Sequence, residues 1–186
     1  VFCWSAAYKH KNLEIIPKVA HFLKIKYGIK AEFILTLPEG NLILENILSE
    51  AKKLKMENNI KNIGKINLSE CLAWYKKSHI VFMPTLFEVF SATYVEAMAM
   101  RRPIITTSLD FATTVCGDAA LYYDAYSSEA AADTFAQLIN SKNLQSELVT
   151  KGLKRLAYFP NPEKKYELTF RWLEELAQKS RIEKNW

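Results

Sequence analysis

The sequence predicts an α/β fold in which a doubly wound, six-stranded parallel sheet carries helices on both faces. Short apolar runs alternate with amphipathic stretches of about 10–15 residues, a pattern typical of parallel strands joined by helices. In addition, Glu88 and Glu96 lie where the fourth apolar run passes into a helix. Since such crossovers are right-handed, we expect a Rossmann-like sheet of order 3-2-1-4-5-6, with its switch point between strands one and four.

The first half of the chain contains three predicted strands, each followed by a helix. Residues 1–7 form the first strand, and apolar side chains at helical spacing predict a helix over residues 13–27, with Gly28 as its C-terminal cap. Pro17 fits only the first turn of a helix, so a start later than Leu13 stays open. The further elements are a strand at 31–37, a helix from Asn41 to about Lys55, a strand at 60–66, and a helix capped by Asn67 or Ser69 that ends near Ser78.

The second half continues the alternation and ends in helices. Three more strands are predicted, at residues 79–83, 103–107 and 119–123, and the two glutamates follow the first of them. A short helix or turn covers residues 110–116. C-terminal helices are predicted at 128–140 with Ser128 as the cap, at 143–158, and at 163–179 after a break at Pro160 and Pro162, with a frayed end at 180–186.

The composition is that of a globular protein. The 186 residues, of which 49% are hydrophobic and 24% charged, suffice for one α/β domain. No apolar run approaches the roughly 18 residues that span a bilayer, and no signal-peptide pattern is present, so we expect a cytoplasmic protein. The start at Val1 resembles the middle of a strand, which suggests a domain excised from a longer protein. The three cysteines are widely spaced, which favours reduced thiols over a disulfide framework or a metal site.

The net charge of +5 is mild and dispersed along the chain. Because a nucleic-acid-binding domain concentrates its basic residues on one face, we expect no nucleic-acid partner. Most of the basic pairs are interpreted as solvated helix faces. An anionic ligand or an anionic membrane surface is the alternative explanation.

The segment around the two glutamates is the first candidate site. Carboxylates are costly to bury unpaired, and this strand-to-helix junction is where open α/β sheets bind ligands. Ser91 is a plausible N-cap, and Thr93 with Glu96 could instead form a capping box. Free backbone N–H groups at the helix start favour a phosphate, and they belong to Phe90, Ser91, Ala92 and Thr93. The alternative is that Glu88 is a solvated loop residue and Glu96 a capping residue.

The loop over residues 6–12 is the second candidate site. It follows the first strand and should face the 84–91 loop across the ligand crevice. Lys9 and Lys11 could neutralise a diphosphate there, although an ordinary basic surface turn is the alternative, and His10 is weak evidence for a general base. The dinucleotide glycine fingerprint, the P-loop, the nucleophile elbow and the zinc spacings are all missing from the sequence, so neither cofactor nor metal is expected.

Several motifs resemble the retaining, nucleotide-sugar-dependent glycosyltransferases of the GT-B fold, the glycosyl transferases group 1 family. The central one is Glu88-Val-Phe90-Ser-Ala-Thr-Tyr-Val-Glu96-Ala-Met98-Ala, followed by Arg102-Pro103-Ile-Ile. Downstream, Gly117-Asp-Ala-Ala resembles the family segment before its last strand, and upstream Lys11-Asn12 resembles the start of its first helix. The matches recur in order over about 165 residues.

The resemblance implies a role for each matching residue. Glu88 resembles the first family glutamate, which contacts the transferred sugar at the reacting centre, and Glu96 resembles the second, which binds the ribose hydroxyls. The amides of Phe90, Ser91, Ala92 and Thr93, together with Lys11, would hold the diphosphate of the donor. Lys65 and Ile66 would flank the nucleobase. The family usually has an arginine where this chain has Ala6, and Lys9 is a candidate to compensate.

The resemblance also implies that residues 1–186 are a single donor-binding domain and that the N-terminal acceptor domain is absent. We therefore expect a hexosyltransferase-type enzyme of surface polysaccharide or glycoconjugate biosynthesis, and an isolated fragment without transfer activity. The last helix resembles the one that crosses back onto the missing domain, or it packs on this domain's own core. Peripheral association of the full protein with the inner membrane face is a further expectation. The alternatives are a GT-B-like nucleotide-sugar epimerase and a non-catalytic α/β interaction module.

Overall fold

The sheet has the predicted order β3-β2-β1-β4-β5-β6, and every neighbouring pair is parallel. The computed structural model describes residues 1–183, with the side chains of all of these except 162 and 180–183. The strands are β1 (Phe2–Cys3), β2 (Phe33–Leu35), β3 (Ile60–Asn62), β4 (Val81–Met83), β5 (Ile104–Thr107) and β6 (Ala120–Tyr123). The connection from β3 crosses over to the far side of β1, so the switch point lies between β1 and β4 as predicted.

Eight helices are described in residues 1–183. They are α1 (Ile16–Tyr27), α2 (Leu42–Lys53), α3 (Leu68–Lys77), α4 (Ala92–Ala99), α5 (Asp110–Cys116), α6 (Ser128–Ile139), α7 (Lys142–Leu156) and α8 (Pro162–Glu183). Residues 1–156 form one compact unit, and α8 belongs to a second unit that begins at Ala157. In α8 the Tyr166 and Phe170 rings lie 4.4 Å apart between their centroids. Its expected packing partner stays a prediction.

Helices cover both faces of the sheet, since successive side chains of a strand point to opposite faces. On one face, α1 packs against α6 and α2, and Phe33, Phe82 and Phe135 form edge-to-face contacts within the core. On the other face, the Phe2 ring meets Tyr75 of α3 at 5.1 Å between ring centroids. The two-layer coverage buries the strands on both sides, as their apolar sequences require.

The first three strands end earlier than predicted because they separate towards their carboxyl ends, whereas β4, β5 and β6 end at the predicted residues. Beyond Cys3, β1 leaves β2, and the Thr36 hydroxyl takes over by donating to the Ser5 carbonyl at 3.2 Å. The Asn62 side chain likewise bridges to Leu37, accepting from its N–H and donating to its carbonyl, both at 3.0 Å. The expected strands at residues 1–7, 31–37 and 60–66 therefore end early, and the separation opens a crevice at this edge.

Most helix boundaries lie within a few residues of the prediction. Gly28 is left-handed with φ 66° and caps α1, while Pro17 lies in the first turn after a separate 3-10 turn at Leu13–Ile15. Asn41 caps α2 through its side chain. The cap of α6 is Ser127 rather than Ser128, because Ser127 has the extended backbone of an N-cap and accepts from the Ala130 N–H at 3.0 Å.

Two further boundaries correct the prediction. Helix α4 begins at Ala92 with Ser91 in the N-cap position, so Thr93 lies inside the first turn and the alternative capping box with Glu96 is wrong. Helix α8 runs from Pro162 to Glu183, which is longer at both ends than predicted. The rest of the expected frayed end, residues 184–186, lies outside the described residues.

Candidate functional site

A cleft of about 620 Å³ lies at the carboxyl ends of β1 and β2, beside the start of α4. It occupies the switch-point position where doubly wound sheets bind ligands. The 6–12 and 84–91 loops meet beside it, since the Leu86 N–H donates to the His10 carbonyl at 2.8 Å. The residues that line the cleft are Trp4, Ser5, Ala6, Ala7, Tyr8, Lys11, Thr36, Pro38, Lys65, Ile66 and Thr93.

An ion pair joins the two loops at this cleft. The Lys11 ammonium donates to a carboxylate oxygen of Glu88, and the two side chains are only 13% and 21% exposed. Lys11 ends a 3-10 turn, and Asn12, with φ 53°, then turns the chain into the next element; asparagine tolerates this left-handed conformation better than most residues. Glu88 is therefore not the solvated loop residue of the alternative interpretation. The pair places one positive and one negative group beside the cleft.

The segment that leads to Glu88 is anchored by β5. The Thr107 hydroxyl donates to the Thr85 carbonyl at 2.8 Å, and both threonines are buried. One residue earlier, the Thr106 hydroxyl donates to the Met83 carbonyl at 2.9 Å and lies 2.8 Å from the Tyr94 hydroxyl of α4. These contacts join β4, β5 and α4. The loop that carries Glu88 is therefore fixed at both ends, where it leaves β4 and where it enters α4.

The amino end of α4 borders the cleft. Ser91, in the N-cap position, makes no capping hydrogen bond with its side chain, and Thr93 of the first turn lines the cleft. A helix start of this kind attracts an anion through its N–H groups and its dipole. Ser91 itself is buried, whereas Phe90 and Ala92 are exposed and lie outside the cleft lining.

Glu96 lies one turn further along α4 and lines a separate pocket of about 410 Å³. The other lining residues are Leu68, Ser69, Cys71, Leu72, Tyr75, Ala99 and Met100. The Tyr75 hydroxyl donates to Glu96 Oε2 at 2.9 Å, so the carboxylate has a polar partner in mainly apolar surroundings. Burial raises the pKa of Tyr75, with the nearby Glu96 charge adding to the effect, so this hydroxyl stays protonated and acts as a donor.

The two pockets are neighbours along two elements. Lys65 and Ile66 line the first, and Leu68 and Ser69, two or three residues on, line the second. On α4 the same step separates Thr93 from Glu96, which lie one above the other on a helix face.

The predicted site residues are only partly brought together. Lys11, Lys65, Ile66 and Thr93 line the cleft, Glu88 joins it through its ion pair, and Glu96 lines the adjacent pocket. Lys9 is exposed and lies outside the lining. The sequence interpretation missed Trp4, Tyr8 and Tyr75. Tyr8 and Trp4 could have been found as aromatic residues in and before the 6–12 loop, and Tyr75 by its helical spacing from Cys71.

Within residues 1–183, no group of three or more His, Cys, Asp and Glu side chains is placed to hold a metal ion. In the same part of the chain, none of the helices is both long and apolar enough to cross a bilayer.

Comparison with known sequences gives two matches. Residues 1–155 match the profile of the family described as glycosyl transferases group 1. Over 145 residues the chain is 27% identical to the capsular polysaccharide biosynthesis glycosyltransferase CapM of Staphylococcus aureus, covering 77% of this chain and 37% of CapM. The chain thus spans well under half the length of this curated relative.

Solved structures share the fold. HepE of Anabaena, determined in complex with UDP and glucose, superposes with a TM-score of 0.80 over 94% of this chain and 47% of its own, at 13% identity. TarM of S. aureus, determined with UDP among its ligands, gives 0.78 over 93% and 34%, at 16% identity. The C-terminal domain of the group 1 family protein LpcC from Francisella tularensis gives 0.73 over 85% and 84%, at 20% identity.

Proposed function

The chain belongs to the glycosyl transferases group 1 family, and we propose that it is the domain that binds the nucleotide-diphosphate sugar donor of a glycosyltransferase. The observation that carries this proposal is the pair formed by Lys11, which lines the switch-point cleft, and Glu88, with the amino end of α4 bordering the same cleft. A nucleotide sugar has a doubly charged diphosphate next to a sugar rich in hydroxyl groups. One ammonium, one helix start and one carboxylate match those two chemistries side by side.

Each residue has a proposed role. Lys11 and the first-turn amides of α4, around Ser91, Ala92 and Thr93, hold the diphosphate and stabilise the charge that develops on it as the sugar leaves. Glu88 accepts hydrogen bonds from the sugar hydroxyls. Glu96 accepts hydrogen bonds from the ribose, a role supported by the motif resemblance and by its position one turn beyond Thr93, which lines the cleft.

Lys65 and Ile66 flank the base. This assignment is supported by their position in the cleft lining, directly before the residues that line the Glu96 pocket. UDP is the first nucleotide to try, because HepE and TarM were both determined with it. We propose transfer with retention of the anomeric configuration on the basis of the motif resemblance, without a metal ion. The CapM relationship supports a role in surface polysaccharide assembly.

We propose that the acceptor is bound by a part of the enzyme that this chain does not contain. The LpcC comparison supports this, since the superposed region is most of a C-terminal domain, whereas only 37% of CapM is matched. The 186-residue chain should then bind donor without transferring sugar. A cytoplasmic location, with peripheral membrane association of the full-length protein, completes the proposal. Co-sedimentation with vesicles of anionic and of neutral lipids tests that association.

Calorimetry with UDP, ADP, GDP and CDP on the 186-residue chain tests the donor site. One of these should bind, and Lys11→Ala and Glu96→Ala should each abolish or greatly weaken that binding. Failure of all four to bind, in this chain and in the full-length protein, would contradict the proposal and favour a non-catalytic interaction module. Product stereochemistry from the full-length enzyme, read by NMR of the anomeric proton, tests retention, and inverted product would refute it.

A further inference from the structure

The Tyr75 hydroxyl is held against Glu96 by a hydrogen bond and by the packing of its ring. The two residues come from different helices, α3 and α4, and the hydroxyl donates to Glu96 Oε2 at 2.9 Å. Tyr75 is 1% exposed, and its ring packs edge-on against Phe2 of β1 with an interplanar angle of 86°. The phenol therefore has a single position, which is set by the sheet.

Because the hydrogen-bond donor, the Tyr75 hydroxyl, is held in place, the Glu96 carboxylate has few orientations. Glutamate has three rotatable bonds, and an unsupported carboxylate in a pocket would sample several rotamers, each with a loss of side-chain entropy on binding. With Oε2 engaged by Tyr75, the plane of the carboxylate is held, which leaves Oε1 and the remaining lone pair of Oε2 to accept from a ligand. Two adjacent hydroxyl groups suit such a held carboxylate, because each can donate a charge-assisted hydrogen bond to it.

We infer that Tyr75 is a positioning residue that orients the Glu96 carboxylate towards the ribose diol and so sets the preference of the site for ribonucleotides over deoxyribonucleotides. The inference rests on the proposed function, because it needs a nucleotide to occupy the pocket. It assigns Tyr75 no contact with the donor. Tyr75 acts on binding through Glu96. Replacing Tyr75 should therefore change the ratio of ribonucleotide to deoxyribonucleotide affinity rather than weaken both equally.

Tyr75→Phe in the 186-residue chain tests this, because it removes one oxygen and keeps the ring. The probes are whichever of UDP, ADP, GDP and CDP binds the wild type most tightly and the 2′-deoxy form of that nucleotide, both measured by calorimetry. Wild type should favour the ribonucleotide. In Tyr75→Phe the ribonucleotide affinity should fall by up to about tenfold, the scale of the side-chain entropy that Glu96 then loses on binding, while the deoxyribonucleotide affinity falls little.

Two variants complete the design. Tyr122→Phe is the matched control, since the Tyr122 hydroxyl also donates to an internal acceptor, the Gly117 carbonyl, away from both pockets, and it should leave the preference intact. Glu96→Gln should reduce the preference with Tyr75 still present. The Tyr75→Phe/Glu96→Gln double variant should lose little more than Glu96→Gln alone, because the two residues act as one unit. This cycle also keeps the test valid if Tyr75→Phe lowers the melting temperature.

The outcomes separate this inference from the proposed function. Suppose that the wild type prefers the ribonucleotide, but that Tyr75→Phe weakens the binding of both nucleotide forms equally or of neither. Tyr75 then has only a packing role, so the inference is wrong while the donor-site proposal stands. If wild type binds but does not distinguish the two forms, Glu96 does not read the ribose and the inference falls as well. If wild type binds none of the four nucleotides, the inference falls together with the donor-site proposal.

Discussion

Lys11 and Glu88, which lie 77 residues apart in the sequence, form an ion pair beside the cleft at the switch point of the sheet. Each residue comes from the loop after one of the two central strands, β1 and β4. Both side chains are largely shielded from water, and the pair compensates two charges that would be costly to bury alone. A diphosphate that binds Lys11 has to share or replace Glu88, so the pair would couple the two halves of the proposed donor site.

Lys11→Met should weaken nucleoside diphosphate binding by about 1.5–3 kcal/mol, roughly ten- to a hundredfold, because it removes a charged donor to phosphate. Lys9→Met removes the same charge from an exposed position two residues away and should change binding little. Calorimetry at two salt concentrations measures both, and the salt dependence should weaken only in Lys11→Met. Equal losses in the two variants would indicate that Lys9 supplies the cation expected in place of the missing arginine.

Glu88→Gln should tighten the binding of a bare nucleoside diphosphate severalfold, since it removes both the partner that competes for Lys11 and a charge that repels phosphate. The same change should abolish sugar transfer by the full-length enzyme, where Glu88 is proposed to hold the sugar. Glu57→Gln is the control, because it changes the net charge by the same amount. Glu57 lies just before β3, at the amino ends of the strands, whereas the cleft lies at the carboxyl ends. Weaker nucleotide binding in Glu88→Gln would show that the pair supports the bound state.

The three cysteine thiols should be unreactive in the folded protein. All three are buried, and burial raises the pKa of Cys71 to about 11 and the pKa values of Cys3 and Cys116 to about 12. At pH 8 roughly one Cys71 thiol in a thousand is then the reactive thiolate. Titration with a disulfide reagent at pH 8 should detect less than one fast-reacting thiol in native protein and three in guanidinium chloride. A fast native reaction would place a cysteine at the surface.

Phe135→Ala should destabilise the fold by about 3–5 kcal/mol, the usual cost of emptying a buried phenylalanine site. Its ring is fully buried between Phe82, at 5.0 Å, and Phe33, at 5.5 Å between centroids, where α6 meets the sheet. Phe87→Ala, at a position 66% exposed, should change the free energy of unfolding by less than about 0.5 kcal/mol. Urea denaturation followed by circular dichroism measures both, and similar values would mean that the core is assigned wrongly.

Much of the fold was predictable because its signals are local. Residues 110–116 were predicted as a helix or turn and form α5 with the same bounds, and Gly28 was identified as a cap from its chemistry alone. Asn41 was predicted to open a helix and is the N-cap of α2. Strand ends were predicted less well. Hydrogen bonds from the Thr36 and Asn62 side chains replace the backbone hydrogen bonds there. Such side-chain hydrogen bonds between neighbouring strands produce no periodic pattern in the sequence.

The sequence by itself determined the order of strands and helices, the strand order of the sheet, and the positions of Lys11, Glu88 and Glu96 after the strands that meet at the switch point. Tertiary structure alone decided that Lys11 pairs with Glu88 and that Tyr75 holds Glu96. The physical reason is the sequence separation between the residues in contact. Periodicity and capping report on residues within a turn or two of each other, whereas contacts across 77 and 21 residues depend on how separate elements pack, which no local pattern encodes.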